Sequence, residues 1–397
     1  MNILYLSNAV PYDGIRHAGG KTFNYYIKNM SCCADCNIRV IAYAKKKEKE
    51  YFDSDKYSIS CDVIFTSGSI LLNAKRVVFD LLGAAFRWPG IEGSYYKKKA
   101  LMDKLLQLKM NGYTPDIIQL EWTCMVLQIE DVKKIFPHAK YIASEHDVSF
   151  LGVLRKNQVN PIKYPYDLYL SQKEAELSAL THADVVMPQN IKDKNLLIEN
   201  GISADKIFVL TPYYHDMTDI RRTPSTCDVI FWGAMYREEN YTAALWFIDN
   251  VMPLLDKNVH FKVIGNNPPA VLKSRESESI HITGFVKDET VFFEKSLCFV
   301  APLVTGAGIK IKNIEALSSG IPVLTNEIGI EGIPANAGEH YFHCVTPADY
   351  AKAIDQLLKG VIDLAAMENA QRKLIQEEFS LKDAFKKYRN MLNLLID

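Results

Sequence analysis

Short apolar runs alternate along the chain with amphipathic stretches of helical length, which is the pattern of a parallel α/β protein. The pattern predicts a first set of strands at 2–7, 38–42, 117–120, 141–144, 185–187 and 207–210. It predicts a second set at 228–232, 260–264, 280–283, 298–301, 321–325 and 341–343. Because parallel strands need helical crossovers, we expect two successive doubly wound sheets with helices on both faces. Such sheets bind ligands at the carboxyl ends of their strands.

A polar, proline-flanked stretch separates the two sets of strands. We therefore predict an N-terminal Rossmann-like domain at 1–212, a linker at 213–225 and a C-terminal Rossmann-like domain at 226–380. An amphipathic helix at 381–397 follows, and its periodicity leaves open whether it packs back on the first domain. The length of 397 residues fits two domains of roughly 100–200 residues each.

The composition narrows the class of protein. Lys and Arg number 46 and Asp and Glu number 47, a net charge of −1, which argues against a nucleic-acid partner. No run approaches ~20 apolar residues and no basic leader precedes the first strand, so a cytoplasmic protein is expected. The eight cysteines are scattered, and Cys33-x-x-Cys36 has no second pair and no neighbouring histidine. Reduced thiols are therefore a better interpretation than a zinc site.

The segment 75–109 is more basic than its surroundings. It contains eight Lys or Arg against three Asp or Glu, with apolar side chains interleaved. Basic amphipathic segments of this kind lie on anionic membrane surfaces, which would make the protein peripheral on the inner face of the membrane. The alternative is a set of solvated helices that pack on the first sheet.

Three nucleotide-binding fingerprints almost fit. Gly20-Lys21-Thr22 follows a strand, but a phosphate-binding loop needs glycine at position 15, which is Ile15. The glycines at 306 and 308 would open a dinucleotide fingerprint, but its third glycine is replaced by Ile311. Asp53-Ser54-Asp55 could hold a metal ion on a sugar nucleotide, but no strand leads into it. A P-loop NTPase, an NAD enzyme and a metal site are therefore all disfavoured.

The most informative stretch is 300–324, read as strand, glycine-rich turn, short helix, glycine stop and new strand. Gly306 and Gly308 let backbone amides approach an anion, and Lys310 adds a positive charge at the helix N-terminus. Glu315, about one turn into the helix, can accept hydrogen bonds from two ribose hydroxyls. Phosphate and ribose together predict a nucleoside diphosphate as the ligand.

This stretch resembles the donor-site signature of the retaining glycosyltransferases of the GT-B fold, the "group 1" family of bacterial sugar transferases. Gly19-Gly20 resembles the family's first-loop glycine pair, and His146 in Glu145-His146-Asp147 resembles its histidine at a strand end of the first domain. The segments 233–240 and 246–253 resemble the opening of its second domain. The loop Gly284-Phe285-Val286 resembles the one whose backbone contacts the base. The resemblance covers nearly the whole chain and is weak between residues 45 and 115.

Two departures from the family pattern concern the donor site. The family has two glutamates eight positions apart, and here Glu315 is present while its partner position is Ala307, which puts recognition of the sugar in doubt. The usual Arg and Lys that neutralise the diphosphate are displaced, because Ala234 and Glu239 stand near their places. Arg237, Lys310 and Lys312 are the candidate substitutes. Lys310 is favoured because it lies nearer the glycines, and the two lysines would not share a helix face.

The resemblance implies a glycosyltransferase that moves a sugar from a UDP- or GDP-linked donor to an acceptor hydroxyl, with retention of configuration and without a metal or other cofactor. Lys310, His146 and Arg237 are the predicted catalytic residues. The predicted substrate-binding residues are Gly19, Gly20, Phe285, Val286, Gly306, Gly308, Ile309, Lys312 and Glu315. The expected acceptor is a carbohydrate or a lipid-linked carbohydrate in polysaccharide or glycolipid assembly. The alternatives are a sugar-nucleotide epimerase or hydrolase, and a catalytically silent sugar-nucleotide-binding protein.

Overall fold

The computed structural model describes residues 1–15, 17–45, 48, 51–52, 57–67, 70–85 and 94–396. The chain divides into two compact units, Met1–Pro212 with Lys382–Asp397, and Tyr213–Leu381. Each unit is built on one six-stranded sheet in which every pairing is parallel. The α/β fold with two Rossmann-like sheets is therefore confirmed.

The sheet of the first unit has the strand order β3-β2-β1-β4-β5-β6. Its strands are β1 Asn2–Ser7, β2 Asn37–Lys45, β3 Ser60–Ser67, β4 Ile117–Glu121, β5 Lys140–Glu145 and β6 Val185–Pro188. Its described helices are α1 Ala18–Ser31, α2 Ile70–Ala85, α3 Tyr95–Met110, α4 Thr123–Val126, α5 Ile129–Ile135, α6 Ser149–Val159, α7 Tyr166–Thr181, α8 Ile191–Glu199 and, from the end of the chain, α16 Leu381–Ile396.

The sheet of the second unit has the equivalent order β12-β11-β10-β7-β8-β9. Its strands are β7 Asp228–Trp232, β8 His260–Ile264, β9 Ile280–Gly284, β10 Cys298–Ala301, β11 Val323–Thr325 and β12 Phe342–His343. Its helices are α9 Glu238–Asn250, α10 Ala270–Lys273, α11 Thr290–Lys295, α12 Ile311–Ser319, α13 Glu327–Ile330, α14 Pro347–Leu358 and α15 Leu364–Glu378.

The order of the strands creates one switch point in each sheet. In the first unit the chain turns from β1 outward to β2 and later returns to β4 on the other side of β1. In the second unit β7 and β10 have the same relation. A crevice opens at the carboxyl ends of such a strand pair because the loops leave in opposite directions. A binding site is therefore expected at the loops that follow β1, β4, β7 and β10.

The C-terminal helix α16 belongs to the core of the first unit. Tyr388 and Leu392 are fully buried against α1, where they join Phe23 and Ile27 on one face of the sheet. Arg389 also forms an ion pair with Asp35. The chain thus returns to its first unit after completing the second.

The stretch 213–225, predicted as a linker, belongs to the second unit. The backbone N–H of Met217 donates to Ser318 Oγ at 3.0 Å, and Arg222 donates to the Ser296 carbonyl at 2.6 Å. These bonds fix the stretch along α12 and along the turn between α11 and β10. Its polar composition therefore reflects hydrogen bonding to the unit that it precedes.

The basic segment forms α2 and α3 in its described part, while Arg87 and its neighbours fall outside the described residues. Lys98, Lys99 and Lys104 form ion pairs with Asp131, Asp103 and Asp62 at 2.7, 2.8 and 2.7 Å. Three of the eight basic side chains of the segment are therefore neutralised by nearby carboxylates. The described helices include none that is both long and apolar enough to cross a membrane.

Candidate functional site

The loop between β10 and α12 carries the glycine-rich turn at the switch point of the second unit. Gly306 and Gly308 have φ angles of +114° and +68°, in the region where a side chain would be strained. The turn leads into α12 with Lys310 as its N-cap residue, and Gly320 ends the helix with φ +75°. Ile309 is buried beside the turn. The strand, turn and helix predicted from the sequence are thus present.

Glu315 is almost fully buried in α12 and is held from two directions. Its Oε2 accepts from Trp232 Nε1 at 3.1 Å, and its Oε1 accepts from the backbone N–H of His215 at 3.2 Å. Trp232 is the last residue of β7, so the carboxylate lies at the carboxyl edge of the sheet. Hydroxyl groups of a ligand can replace both of these donors as hydrogen-bond partners of the carboxylate. The geometry therefore suits a carboxylate that binds a sugar diol.

The ammonium groups of Lys310 and Lys312 contact different parts of the second unit. Lys310 Nζ curls back onto its own turn, with the carbonyls of Gly308 and Ala307 at 2.5 and 3.3 Å and Glu331 Oε2 at 3.5 Å. Lys312 Nζ instead reaches the end of β7 and the start of α9. It donates to Asn240 Oδ1 and lies 4.9 Å from the centroid of the Phe231 ring.

The pKa of Lys312 is lowered to about 7, first by burial and then by the positive charge of Arg237. Lys310 contributes in the same direction. Positive charges that lower the pKa of a neighbouring buried lysine form a site that favours an anion. The sequence pattern favours Lys310 as the main cation, whereas in the folded protein Lys312 is the lysine that lies near Arg237.

Arg237 is the N-cap residue of α9, and its guanidinium is half exposed. It forms an ion pair with Glu239 at 2.5 Å. Two acidic residues in the first turn of α9 complement the positive end of the helix. Arg237 therefore stands at the loop after β7, on the same edge of the sheet as Glu315.

Phe285 and Val286 follow β9, two strands away from β7 in the sheet. The Phe285 ring is 63% exposed and Val286 is half buried. The backbone N–H of Gly265, after β8, donates to the Gly284 carbonyl at 2.9 Å and fixes the start of this loop. An exposed aromatic ring at this position can take a planar base.

In the first unit the glycine pair lies at the N-terminus of α1, where only glycine fits. A Cβ atom on Gly19 would stand 2.9 Å from Trp122 Nε1 and 3.1 Å from His146 Nδ1. A Cβ atom on Gly20 would meet Ile15 Cδ1 at 2.3 Å. His17 caps the helix by accepting from the Gly20 N–H at 3.0 Å. Gly19 and His146 are therefore neighbours in the folded protein.

His146 is buried just after β5, and both of its ring nitrogens are hydrogen bonded. Its Nε2 lies 2.8 Å from Glu121 Oε2, and its Nδ1 lies 2.9 Å from Gln189 Nε2. The ring stacks on Trp122 at 4.4 Å between centroids. Trp122 has φ +69°, a strained conformation that carries its indole over the histidine.

Several residues at these edges were missed by the sequence argument. They are Glu121, Trp122, Gln189, His215 and Trp232. Four of them lie at or just after the carboxyl end of a strand, which is the signal that could have marked them. His215 carries no such signal because it lies in the stretch predicted as a linker.

Metal-binding features are few. The searched part of the chain has no group of three or more His, Cys, Asp or Glu side chains arranged to hold a metal ion. The motif Asp53-Ser54-Asp55 lies outside the described residues. All eight cysteines, including Cys33 and Cys36, are free thiols.

The second unit matches the family model of the glycosyl transferases group 1 over residues 226–360. The whole chain is similar to the crystal structure of Anabaena Alr3699/HepE in complex with UDP, with a TM-score of 0.70, 13% identity, and coverage of 99% of this chain and 100% of that one. It is also similar to the sucrose-phosphate synthase from Thermosynechococcus elongatus, with a TM-score of 0.71, 12% identity, and coverage of 100% and 99%.

A curated relative is the "Uncharacterized 44.6 kDa protein in cps region" of Klebsiella pneumoniae, 23% identical over 189 residues. The match covers 45% of this chain, and the chain spans about half the length of that relative. The structural similarities extend over both units and show the fold, whereas the family match lies within the second unit. The chain therefore has the GT-B fold, and its residues 226–360 match the group 1 glycosyl transferases.

Proposed function

We propose that the protein transfers a sugar from a nucleoside diphosphate to an acceptor hydroxyl with retention of configuration. The observation that carries the proposal is the grouping of a fixed carboxylate, a lysine with a lowered pKa and an arginine at the switch point of the second sheet. Glu315 would bind the ribose hydroxyls, while Lys312 and Arg237 would bind the diphosphate. Phe285 would lie against the base. Uracil is the favoured base, and UDP the favoured nucleotide, because Anabaena Alr3699/HepE is crystallised with UDP and with UDP-glucose.

Catalysis in this proposal is mainly electrostatic. The barrier lies in separating an oxocarbenium-like sugar from the diphosphate, on which negative charge develops. Lys312, Arg237 and the amides of the turn at Gly306 and Gly308 would stabilise that charge without reorganising. Lys310 would hold the turn in shape through its bonds to the carbonyls of Ala307 and Gly308. The departing phosphate would accept the proton of the acceptor hydroxyl, and no metal ion would be needed.

His146 would position a sugar hydroxyl beside Gly19. Its ring is held on three sides by Trp122, Glu121 and Gln189, so its orientation is fixed before a substrate binds. A preorganised group of this kind lowers the entropic cost of reaching a reactive geometry.

The direct test is binding and turnover with matched lysine variants. Lys312→Met should weaken the binding of UDP at least tenfold, whereas Lys373→Met, which removes an exposed lysine of α15, should leave it unchanged. Titration calorimetry with UDP, GDP and ADP measures the affinity and the preference for a base. NMR of the product formed from UDP-sugar and an acceptor pool measures the configuration.

Four outcomes would contradict the proposal. Normal transfer by both Lys312→Met and Glu315→Ala would remove the assigned site. Release of free sugar at the same rate with and without acceptors would favour the hydrolase alternative. Tight UDP binding without turnover against any acceptor would favour the silent binding protein. Loss of transfer in EDTA, restored by Mg²⁺, would contradict metal independence.

We also propose that the protein contacts a membrane surface, through α2 rather than through the lysines of α3. The outer face of α2 is formed by apolar side chains that are 46–91% exposed, namely Ile70, Leu71, Val77, Val78, Leu81 and Leu82. No acidic residue lies on this face, because Asp80 turns inward to accept from Ser94 Oγ and the Tyr96 N–H at 3.0 and 2.9 Å. An apolar face with a basic residue, Lys75, along the same helix is typical of interfacial helices.

The size of the face favours a membrane over a second copy of the chain. A helix of 16 residues is about 24 Å long and about 10 Å wide, so the face covers on the order of 250 Å². A stable dimer buries about 800 Å² per partner. Co-sedimentation with phosphatidylcholine vesicles, with and without phosphatidylglycerol, tests the proposal.

Val78→Ser with Leu81→Ser should abolish co-sedimentation, while Met110→Ser, an exposed position on α3, should not. Since the lysines of α3 are paired, binding should fall little between low and moderate salt. Absence of binding to both kinds of vesicle would overturn the membrane contact. A dimer in sedimentation velocity that the α2 variant dissociates would replace it with self-association.

A further inference from the structure

A chain of buried hydrogen bonds connects His146 to the C-terminal helix. Glu121, 3% exposed, receives His146 Nε2 on its Oε2 at 2.8 Å and Gln119 Nε2 on its Oε1 at 2.6 Å. Gln119 Oε1 in turn accepts from Tyr388 OH at 2.8 Å. Tyr388 lies on α16, 269 residues further along the chain than Gln119. Tyr5 OH, on β1, is the last member of this series of hydrogen bonds and lies 2.9 Å from Tyr388 OH.

The direction of every bond follows from the chemistry of Glu121. An ionised carboxylate only accepts, so Gln119 must turn its amide nitrogen toward Glu121 and its oxygen toward Tyr388. Tyr388 must then donate to Gln119, and Tyr5 must donate to Tyr388. By the same rule His146 Nε2 carries a hydrogen. The network therefore has one consistent arrangement of hydrogens, which a buried polar network needs to be favourable.

The tyrosines keep this arrangement at every physiological pH. Burial raises the pKa of Tyr5 and of Tyr388 well above the usual value, so both hydroxyls stay protonated. Tyr388 is also fixed by packing, since its ring lies 5.0 Å from that of Tyr26, edge to face. The hydroxyl that donates to Gln119 therefore stays protonated and is held in place by packing.

One ring nitrogen of His146 remains as an acceptor. With the hydrogen on Nε2, the lone pair is on Nδ1, the atom that lies 3.1 Å from the position of a Cβ on Gly19. Gln189 donates to Nδ1 at 2.9 Å in the unliganded protein. A sugar hydroxyl that enters beside Gly19 can replace this amide as the donor. The tautomer of His146 thus decides whether its Nδ1 can accept from a substrate.

We infer that Glu121, Gln119 and Tyr388 are positioning residues that fix the Nε2–H tautomer of His146, so that Nδ1 accepts a hydrogen bond from a substrate hydroxyl. The inference rests on the proposed transfer reaction for its catalytic consequence, but not for the tautomer itself. It gives α16 a part in the site, because this helix supplies the hydroxyl that donates to Gln119.

Two conservative variants test the inference with independent readouts. Glu121→Gln should reverse the tautomer. The new amide N–H would donate a hydrogen bond to His146 Nε2, which must then accept, so the ring hydrogen would move to Nδ1. Tyr388→Phe should leave Gln119 Oε1 without a donor and broaden or shift the His146 signals. NMR of ¹⁵N-histidine-labelled protein reports both changes, with His146→Gln providing the assignment. Tyr113→Phe is the control, because its buried hydroxyl lies in the same unit and outside this network.

Kinetics measure the consequence for transfer. Glu121→Gln should lower kcat more than tenfold and Tyr388→Phe about tenfold, as expected when a group that orients a histidine is lost. The KM for the nucleotide sugar should change less than twofold, because the nucleotide contacts are assigned to the other unit. Tyr113→Phe should retain both constants.

The outcomes separate this inference from the proposed function. Unchanged His146 signals in both variants would overturn the inference, whatever the activity. Altered tautomers in a protein that transfers no sugar would contradict the proposed function and keep the structural part of the inference. Altered tautomers with an unchanged kcat would show that His146 Nδ1 does not accept from the substrate.

Discussion

Lys312 shows how a single side chain acquires its role from distant neighbours. The lysine was visible in the sequence beside the glycine turn, but its spacing gave no reason to prefer it over Lys310. The folded chain brings its ammonium group to Asn240, 72 residues earlier, and into the field of Arg237. The low pKa that results is a property of the site without its anion.

The affinity for UDP-glucose should fall as the pH rises above about 7. In the free protein Lys312 loses its proton near that pH, whereas a bound diphosphate favours the charged form and raises the pKa. Binding therefore takes up a proton, and the affinity falls by up to about tenfold per pH unit. Calorimetry in two buffers of different ionisation enthalpy measures both effects. Lys312→Arg should show a flat profile, because arginine stays charged.

A pair of buried glutamates beside His146 should make the stability of the protein depend on pH. Burial raises the pKa of Glu145 well above its usual value, and the charge of Glu176 acts in the same direction. Burial also raises the pKa of Glu176 to about 7, with a smaller contribution from the charge of Asp147. The folded state thus holds protons that the unfolded state releases from about pH 4.5. The free energy of unfolding should therefore fall as the pH rises through about 7.

Urea unfolding between pH 4.5 and 8 measures this dependence. Glu145→Gln should flatten it, because an amide keeps the bond to Thr123 Oγ1, now 2.7 Å, and carries no charge. Glu174→Gln, an exposed position on the same helix as Glu176, should leave the dependence as it is. A stability that rises over this range in the unmodified protein would contradict the assigned direction.

The residues of the candidate site fall into two groups, those that lie close together in the sequence and those that only the fold brings together. Gly306, Gly308 and Glu315 lie within one turn and helix, so the sequence alone could group them. Trp232 and His215 bind Glu315 from 83 and 100 residues away, and only the fold brings them together. The same holds for Glu121 and Gln189 around His146, which lie on different strand ends.

Among the elements, α16 is the one whose helical periodicity was clear in the sequence but whose packing surface was not. The pattern predicts an amphipathic helix but not the surface on which it packs, because any apolar groove would satisfy it. Leu392 decides the matter by lying fully buried against the first unit. Leu392→Ala should lower the free energy of unfolding by about 2–5 kcal/mol. Leu394→Ala, on the same helix but 78% exposed, should change it little.

Strands with a strong apolar run were predicted well, and the differences have physical causes. β3 is an edge strand of mostly half-buried positions, and it was missed although it contains the short apolar run Val63-Ile64-Phe65. The apolar run at 207–210 was predicted as a strand. It forms one isolated bridge, with Phe208 and Leu210 donating to carbonyls of β6 at 3.0 and 2.9 Å. Apolar runs report burial, whereas a strand also needs a partner along its length.

For the molecule as a whole, length and the repeated strand pattern predicted two α/β units, and both sheets have the predicted class. What the pattern could not supply was the return of the chain to its first unit, which joins residues near both ends in one core. The contacts assigned to the nucleotide all lie in the second unit. Those assigned to His146 lie in the first, so the two groups of residues can be tested separately.

A nucleotide panel in a thermal unfolding assay should therefore show stabilisation by UDP that depends on the second unit alone. A ligand that binds only the folded protein adds about 2.7 kcal/mol when its concentration is 100 times Kd. Glu315→Ala and Lys312→Met should lose most of this increment, because they remove the ribose and diphosphate contacts. Tyr388→Phe and His146→Gln should retain it in full, even though they impair transfer. If His146→Gln abolished the increment while Glu315→Ala kept it, the nucleotide would have to bind the first unit, and the assignment of donor and acceptor sides would be reversed.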